Sequence, residues 1–162
     1  MSSDIAHVIR IERIISGLVN AVINGGLAWY LFKSKPALLL WGSEGFGADL
    51  MATAFIMLFI VALIVVPIFR RKARLGNISA TWDNDRWLHR QLQRFPHSPL
   101  GIAVIFGLVG MVVFVPPTLL ALSVSNITEL TPAQYAICKG CWAGSLAAVL
   151  VGSMIRVAVS RR

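Results

Sequence analysis

The sequence has few of the charged and reactive side chains on which most soluble enzymes depend. Only 14% of its 162 residues are charged, and it contains two cysteines and three histidines. Two cysteines are too few for the disulfide framework of a small secreted domain. The histidines His7, His89 and His97 form no pair at helical spacing within an apolar segment, so the sequence indicates neither a haem nor a metal site.

Apolar side chains dominate the composition instead. Hydrophobic residues make up 57% of the chain, and the mean hydropathy is +0.75. A soluble domain of this length would leave far more apolar surface than it can bury. The composition therefore indicates an integral membrane protein.

The clearest apolar segment lies between Asp49 and Arg70, where Thr53 is the only polar side chain in twenty residues. At about 1.5 Å per residue, a helix of this length crosses a hydrocarbon core of about 30 Å. Three further apolar segments predict an all-α, polytopic four-helix bundle that forms a single transmembrane domain over residues 1–162. The predicted spans are residues 14–32, 50–69, 100–123 and 133–159.

Positive charge gathers at particular ends of these spans. Most of the 15 Lys and Arg residues lie between the second and third spans or at the C-terminus. Short cytoplasmic loops concentrate Lys and Arg, so the pattern predicts a multi-pass protein of the bacterial inner membrane with both termini cytoplasmic. The net charge of +8 follows from this topology, with some attraction to anionic lipid, and does not indicate a nucleic-acid partner.

The cytoplasmic loop at residues 70–99 contains a predicted short amphipathic helix, which Asp83 or Asn84 can cap and Pro96 ends. Tryptophan and arginine on such a helix suit the membrane surface. One side carries Trp87, Leu88, Leu92 and Phe95, and the other carries Arg86, Arg90 and Arg94.

The first outer loop, residues 33–48, contains a glycine-rich turn at residues 41–47. The turn lacks the Lys-Ser/Thr of a P-loop and does not follow a strand, so nucleotide binding is not indicated. We expect an interfacial turn or a lid over the outer mouth of the bundle.

Two local patterns concern the last two spans. Pro116 and Pro117 together remove two helix hydrogen bonds, which predicts a kink or break in the third span. Thr131 and Gln134 have the spacing of a capping box with Pro132 at the first helical position, which predicts the start of the fourth span.

Lys139 lies inside the fourth predicted span, and a charged group at the bilayer centre costs about 2.5–3.5 kcal/mol. In one interpretation it snorkels toward the interface or forms a structural ion pair. In the other it pairs with Asp49 or Glu44 above two asparagines, in a pocket for an anionic headgroup or a small acid. The candidate ligand-binding residues are Asn20, Asn24, Glu44, Asp49 and Lys139.

Small residues recur every four positions in the first and fourth spans. Such a face lets another helix approach closely. We expect the two stripes to pack together, either within one chain or in a dimer. The predicted packing residues are Gly17, Ala21, Gly25, Gly140, Gly144, Ala148 and Gly152.

Cys138 and Cys141 form a C-x-x-C near the outer end of the fourth span, where the intervening Lys139 favours a thiolate. The placement resembles that in four-helix thiol oxidoreductases of the vitamin K epoxide reductase type. That resemblance implies a redox enzyme that passes electrons to a quinone. Those enzymes relay electrons through further cysteines, and this chain has none.

Several short segments carry a second resemblance. They are residues 20–24 with Ala28-Trp29, Trp41-Gly42 with Asp49 and residues 52–55, Pro67 with Arg70-Arg71, and Lys139 with Trp142-Ala143. Together they resemble a group of small bacterial inner-membrane proteins with four spans and no known activity. In that group other apolar residues ordinarily occupy the cysteine positions, so this resemblance favours the asparagine, aspartate and lysine set over a redox pair.

Three functional hypotheses follow from these patterns. The first is a non-enzymatic membrane protein that binds a small ligand or lipid, or that serves as an accessory subunit of a larger complex. The second is the quinone-linked thiol oxidoreductase, and only this hypothesis requires a cofactor. The third is a small transporter or channel, which would need to oligomerise. The expected partners are the lipid bilayer and either further copies of the chain or a larger membrane complex.

Overall fold

The computed structural model describes residues 3–42, 45–76, 78 and 96–160. Most of this part is helical, with two short strands between helices. The helices are α1 (Ser3–Phe32), α2 (Phe46–Arg74), α3 (Pro99–Val109), α4 (Val115–Val124) and α5 (Pro132–Val159), and the strands are β1 (Leu38–Leu39) and β2 (Glu129–Leu130).

Four helical segments of the described chain are long and apolar enough to cross a membrane. They are Ile5–Phe32, Phe46–Arg74, Pro99–Val124 and Pro132–Val159. The prediction of an all-α chain with four helices of membrane-spanning length is therefore confirmed, and these helices indicate a multi-pass membrane protein.

The largest difference from the predicted spans is at the start of α1. The sequence predicts that the first span begins at residue 14, whereas α1 begins at Ser3. Ile5 and Ile9 explain the difference, because both are buried in the main hydrophobic core. Packing against the rest of the bundle stabilises turns that would fray in an isolated segment.

The helices are arranged around α5. Helix α1 packs antiparallel along α5, since Gly17 lies against Ala148 and Gly25 against Gly140. Helix α2 packs on both α3 and α5. The main core lies among these helices, and α1 forms one side of the bundle.

The third span changes its helical geometry before its two prolines. Gly110–Phe114 forms a π turn between α3 and α4. Pro116 and Pro117 then lie in the first turn of α4, where a backbone N–H is not needed for the helix. The helix is therefore disrupted as predicted, but the disruption is a π turn that precedes the prolines. A π turn is wider than an α-helix, so it moves carbonyl groups away from the proline rings.

The loops before α2 and after α4 meet at one end of the bundle. β1 and β2 pair antiparallel, with Leu38 opposite Leu130, and the backbone N–H of Leu40 donates to Thr128 O over 2.8 Å. Three apolar side chains are buried at this pairing, namely Leu38 of β1 and the nearby Leu40 and Phe46. We call this end of the bundle the strand end.

Two predicted features lie outside the described residues. They are the amphipathic helix of the loop after α2 and the carboxylate of Glu44.

Candidate functional site

An ion pair joins α2 to α5 near the strand end. Nζ of Lys139 lies 2.5 Å from Oδ2 of Asp49. Lys139 is only 2% exposed and Asp49 is 26% exposed. Asp49 lies in the first turn of α2, where the helix dipole also favours a negative charge.

Tyr135 completes this site. It lies one turn before Lys139 on α5, and its hydroxyl donates to the same Oδ2 of Asp49. Its ring packs against Phe32 and Phe46, with centroids 5.7 and 5.2 Å away. We call Asp49, Tyr135 and Lys139 the ionic triad.

The sequence pattern does not single out Tyr135, although a signal is present. Residues four apart on a helix share a face, so Tyr135 must point to the same side of α5 as Lys139. A tyrosine on the face of a buried lysine is a natural third partner for a carboxylate, because its hydroxyl can donate one hydrogen bond.

The start of α5 is fixed by its cap, and this cap places the triad. The Thr131 hydroxyl accepts a bond from Gln134 N over 3.3 Å, and Gln134 Oε1 accepts one from Thr131 N over 3.0 Å. The predicted capping box is therefore confirmed. It holds Tyr135 and Lys139 in the first two turns of α5, beneath the strand pairing.

The charges of the triad are largely satisfied internally. Asp49 neutralises Lys139, so the pair offers no net positive charge to an anionic ligand. Both donors reach Oδ2, and no donor in the described part of the chain reaches Oδ1 of Asp49. The arrangement is well suited to holding α2 and α5 together, because separating either charge would leave the other unpaired in an apolar setting.

Asn20 and Asn24 make their hydrogen bonds within α1. Asn20 Nδ2 donates to Ser16 O over 2.8 Å, and Asn24 Nδ2 donates to Asn20 O over 2.9 Å. The structure therefore brings Asp49 and Lys139 together, while these asparagine bonds stay within their own helix. A ligand-binding role for Asn20, Asn24, Glu44, Asp49 and Lys139 stays a prediction.

The small residues lie along the contact between α1 and α5. A Cβ atom placed on Gly144 would lie 2.7 Å from Gly17 O and 2.8 Å from Ala21 Cβ. One placed on Gly140 would lie 2.9 Å from Ala21 O. No side chain fits at these positions without moving a backbone, so the two helices approach closely within one chain.

A groove open to the exterior runs beside this contact. Its half nearer the strand end has a volume of about 540 Å³, and the other half about 440 Å³. Ala21 and Cys141 line both halves, so the two halves adjoin. We call it the seam groove, and its lining includes Arg13, Ala21, Gly26 and Trp29 of α1 and Cys141 and Ser145 of α5.

Cys138 and Cys141 are both free and exposed on α5. Neither thiol belongs to the ionic triad, and Cys141 lines the seam groove. The thiol oxidoreductase hypothesis and the transporter hypothesis stay predictions. Among the residues that the structure describes, no three side chains of the metal-ligating types come together.

No family model, no curated protein and no solved structure matches this chain. The resemblance to small four-span bacterial membrane proteins therefore stays a prediction, and the function must be inferred from the geometry.

Proposed function

We propose that this protein is a non-enzymatic membrane bundle that binds a lipid in the seam groove. The observation that carries the proposal is the groove of two adjoining halves along the contact of α1 with α5. Each half has a volume within the roughly 300–1,000 Å³ typical of small-molecule sites.

The groove exists because glycine and alanine bring the two helices together. Their small side chains let the backbones touch but leave nothing to fill the flank of the contact. Gly26 illustrates this, because a Cβ atom placed there would meet nothing within 4 Å. The lining is mostly apolar, which suits an acyl chain.

The length of the groove also suits a lipid chain. Arg13 and Trp29 lie at its two ends and are sixteen residues apart, which corresponds to about 24 Å of helix. The hydrocarbon core is about 30 Å thick. A helix with its side chains is about 10–12 Å wide and could only bridge a groove between touching helices. An acyl chain is much narrower and can enter it.

The ionic triad does not line the seam groove, but it helps to position one of the helices that form the groove. It connects α2 to α5 at the strand end, so it fixes the helix that forms one wall of the seam groove. We place the protein in the bacterial inner membrane with both termini cytoplasmic. The basic residues Arg71, Lys72 and Arg74 in the last turn of α2 favour this orientation.

The experiment that tests the proposal is native mass spectrometry of the protein purified in mild detergent. Ser145→Phe and Gly26→Leu place bulk into the groove without a clash at the helix contact, because Ser145 is exposed and Gly26 faces open space. Leu120→Phe is the matched control, because Leu120 is 65% exposed on α4 and does not line the groove.

We expect bound lipid in the wild type and in Leu120→Phe, and its loss in the two groove variants. An unchanged lipid content in all four proteins would refute the proposal. A bound second chain that only the groove variants release would instead favour an accessory subunit.

A further inference from the structure

We infer that the lipid is an anionic phospholipid whose phosphate binds Arg13, at the end of the seam groove opposite the strand end. This inference rests on the proposed function. It adds the chemical class of the lipid headgroup, the leaflet that supplies the lipid and the residue that recognises the headgroup.

Arg13 is positioned at the groove by α5. A Cβ atom placed on Gly152 would lie 3.0 Å from both Nε and Nη2 of Arg13. The guanidinium therefore lies over the bare backbone of Gly152, where any larger residue would displace it. Arg13 is exposed and also lines the groove, so its side chain borders the space that a headgroup would occupy.

No acidic side chain of the described residues neutralises the charge of Arg13. Among the described residues it forms no ion pair, and neither does its sequence neighbour Glu12. Arg156 lies one turn beyond Gly152 on the same face of α5. This end of the groove is therefore positive, and a phosphate would supply the missing charge.

The depth of Arg13 matches a headgroup. Arg13 is the last charged residue of α1, and Ala21 lies eight residues further on, or about 12 Å along the helix. That distance is close to half of a hydrocarbon core of about 30 Å. One half of the groove can therefore hold an acyl chain from the leaflet on the Arg13 side, which is the cytoplasmic leaflet in the proposed orientation.

A second copy of the chain fits this site less well. If two copies docked through their grooves about a two-fold axis along the membrane normal, the two Arg13 side chains would face each other at the same depth. Like charges repel, whereas an anionic lipid neutralises each arginine separately.

The test compares two lipids that have identical acyl chains, phosphatidylglycerol and phosphatidylcholine, by native mass spectrometry titration. The proteins are wild type, Arg13→Gln, Arg13→Lys, Arg10→Gln and Ser145→Phe. Arg10→Gln is the matched control, because it removes an exposed cation from the same end of α1 without touching the groove lining.

We expect wild type and Arg10→Gln to bind phosphatidylglycerol about fivefold more tightly than phosphatidylcholine, since one cation near an anionic headgroup gives about this factor. Arg13→Gln should lose the preference but still bind phosphatidylcholine, and Arg13→Lys should keep part of it. The inference is overturned if wild type shows no preference, or if Arg10→Gln loses it as completely as Arg13→Gln. Failure of the proposed function looks different, because Ser145→Phe would then bind both lipids as wild type does.

Discussion

Lys139 and Asp49 form an ion pair of 2.5 Å that joins the second turn of α5 to the first turn of α2. The lysine is almost completely buried, whereas the aspartate keeps an exposed edge and a second donor from Tyr135. Because of this asymmetry, the buried lysine depends more on the aspartate than the aspartate depends on the lysine.

Removing the carboxylate should cost more than removing the ammonium group. Asp49→Asn leaves a buried cation unpaired, which we expect to lower the free energy of unfolding by about 3 kcal/mol. Lys139→Met should cost less, because Asp49 remains partly exposed and bonded to Tyr135. The double variant should recover most of the loss, since no unpaired charge remains. Tryptophan fluorescence during unfolding in mild detergent measures the free energy of unfolding of the three variants. If the loss in the double variant equals the sum of the two single losses, the two charges do not depend on each other.

Tyr135→Phe isolates the hydroxyl of the ionic triad. The ring keeps its contacts with Phe32 and Phe46, so the loss should reflect one hydrogen bond to a charged group, about 2 kcal/mol in the free energy of unfolding. Tyr30→Phe is the control, because Tyr30 is 69% exposed, and its stability should not change. Equal effects of the two substitutions would show that the hydroxyl of Tyr135 contributes nothing.

Gly144→Ala and Gly26→Ala should differ sharply although both add one methyl group to a helix. At Gly144 the new Cβ atom would lie 2.7 Å from a backbone oxygen of α1, so the helices must separate and the melting temperature should fall. At Gly26 the methyl group meets open space, and the lower conformational entropy of alanine in the unfolded chain makes the change neutral or stabilising. Thermal unfolding of both variants in one detergent tests the pair. Equal melting temperatures would contradict the close contact between α1 and α5.

Trp142 and Thr118 connect α5 to the segment after the π turn. Trp142 Nε1 donates to Thr118 Oγ1 over 3.0 Å, and Thr118 Oγ1 donates to Phe114 O over 2.7 Å. Thr118→Val removes both bonds with little change in shape, and we expect a loss of about 1–2 kcal/mol in the free energy of unfolding. In a double-mutant cycle, Trp142→Phe should add little to Thr118→Val, because the shared bond is already gone. Fully additive losses would mean that the bond contributes nothing to stability.

The two thiols offer a direct test of the redox hypothesis. Both are free and exposed, so we expect a membrane-permeant maleimide to react with both thiols without prior reduction. Mass spectrometry should then show two maleimide adducts per chain. Cys138→Ser should leave one adduct and an unchanged free energy of unfolding. Labels that appear only after reduction would show that the pair forms a disulfide and would revive the thiol oxidoreductase hypothesis.

Parts of the site were predictable from local patterns. The pairing of Lys139 with an acidic residue near the end of a span follows from the cost of a charge inside the span. The sequence could not choose between Asp49 and Glu44, and it did not single out Tyr135, because the choice depends on how α2 and α5 approach each other. For Asn20 and Asn24, spacing places both on one face of α1 but cannot tell whether their amides bond across helices or within one.

The sequence by itself determined the four helices that are long and apolar enough to span a membrane, and it determined the cap of α5. Each of these depends on one segment of the chain alone. The helices follow from apolar segments whose length matches a bilayer, and the cap follows from the fixed spacing of Thr131 and Gln134. The tertiary structure alone decided the early start of α1, the π turn at Gly110–Phe114, the third member of the ionic triad and the seam groove. Each of these arises where two segments distant in sequence meet, and the energy of such a contact depends on distances that no single segment encodes.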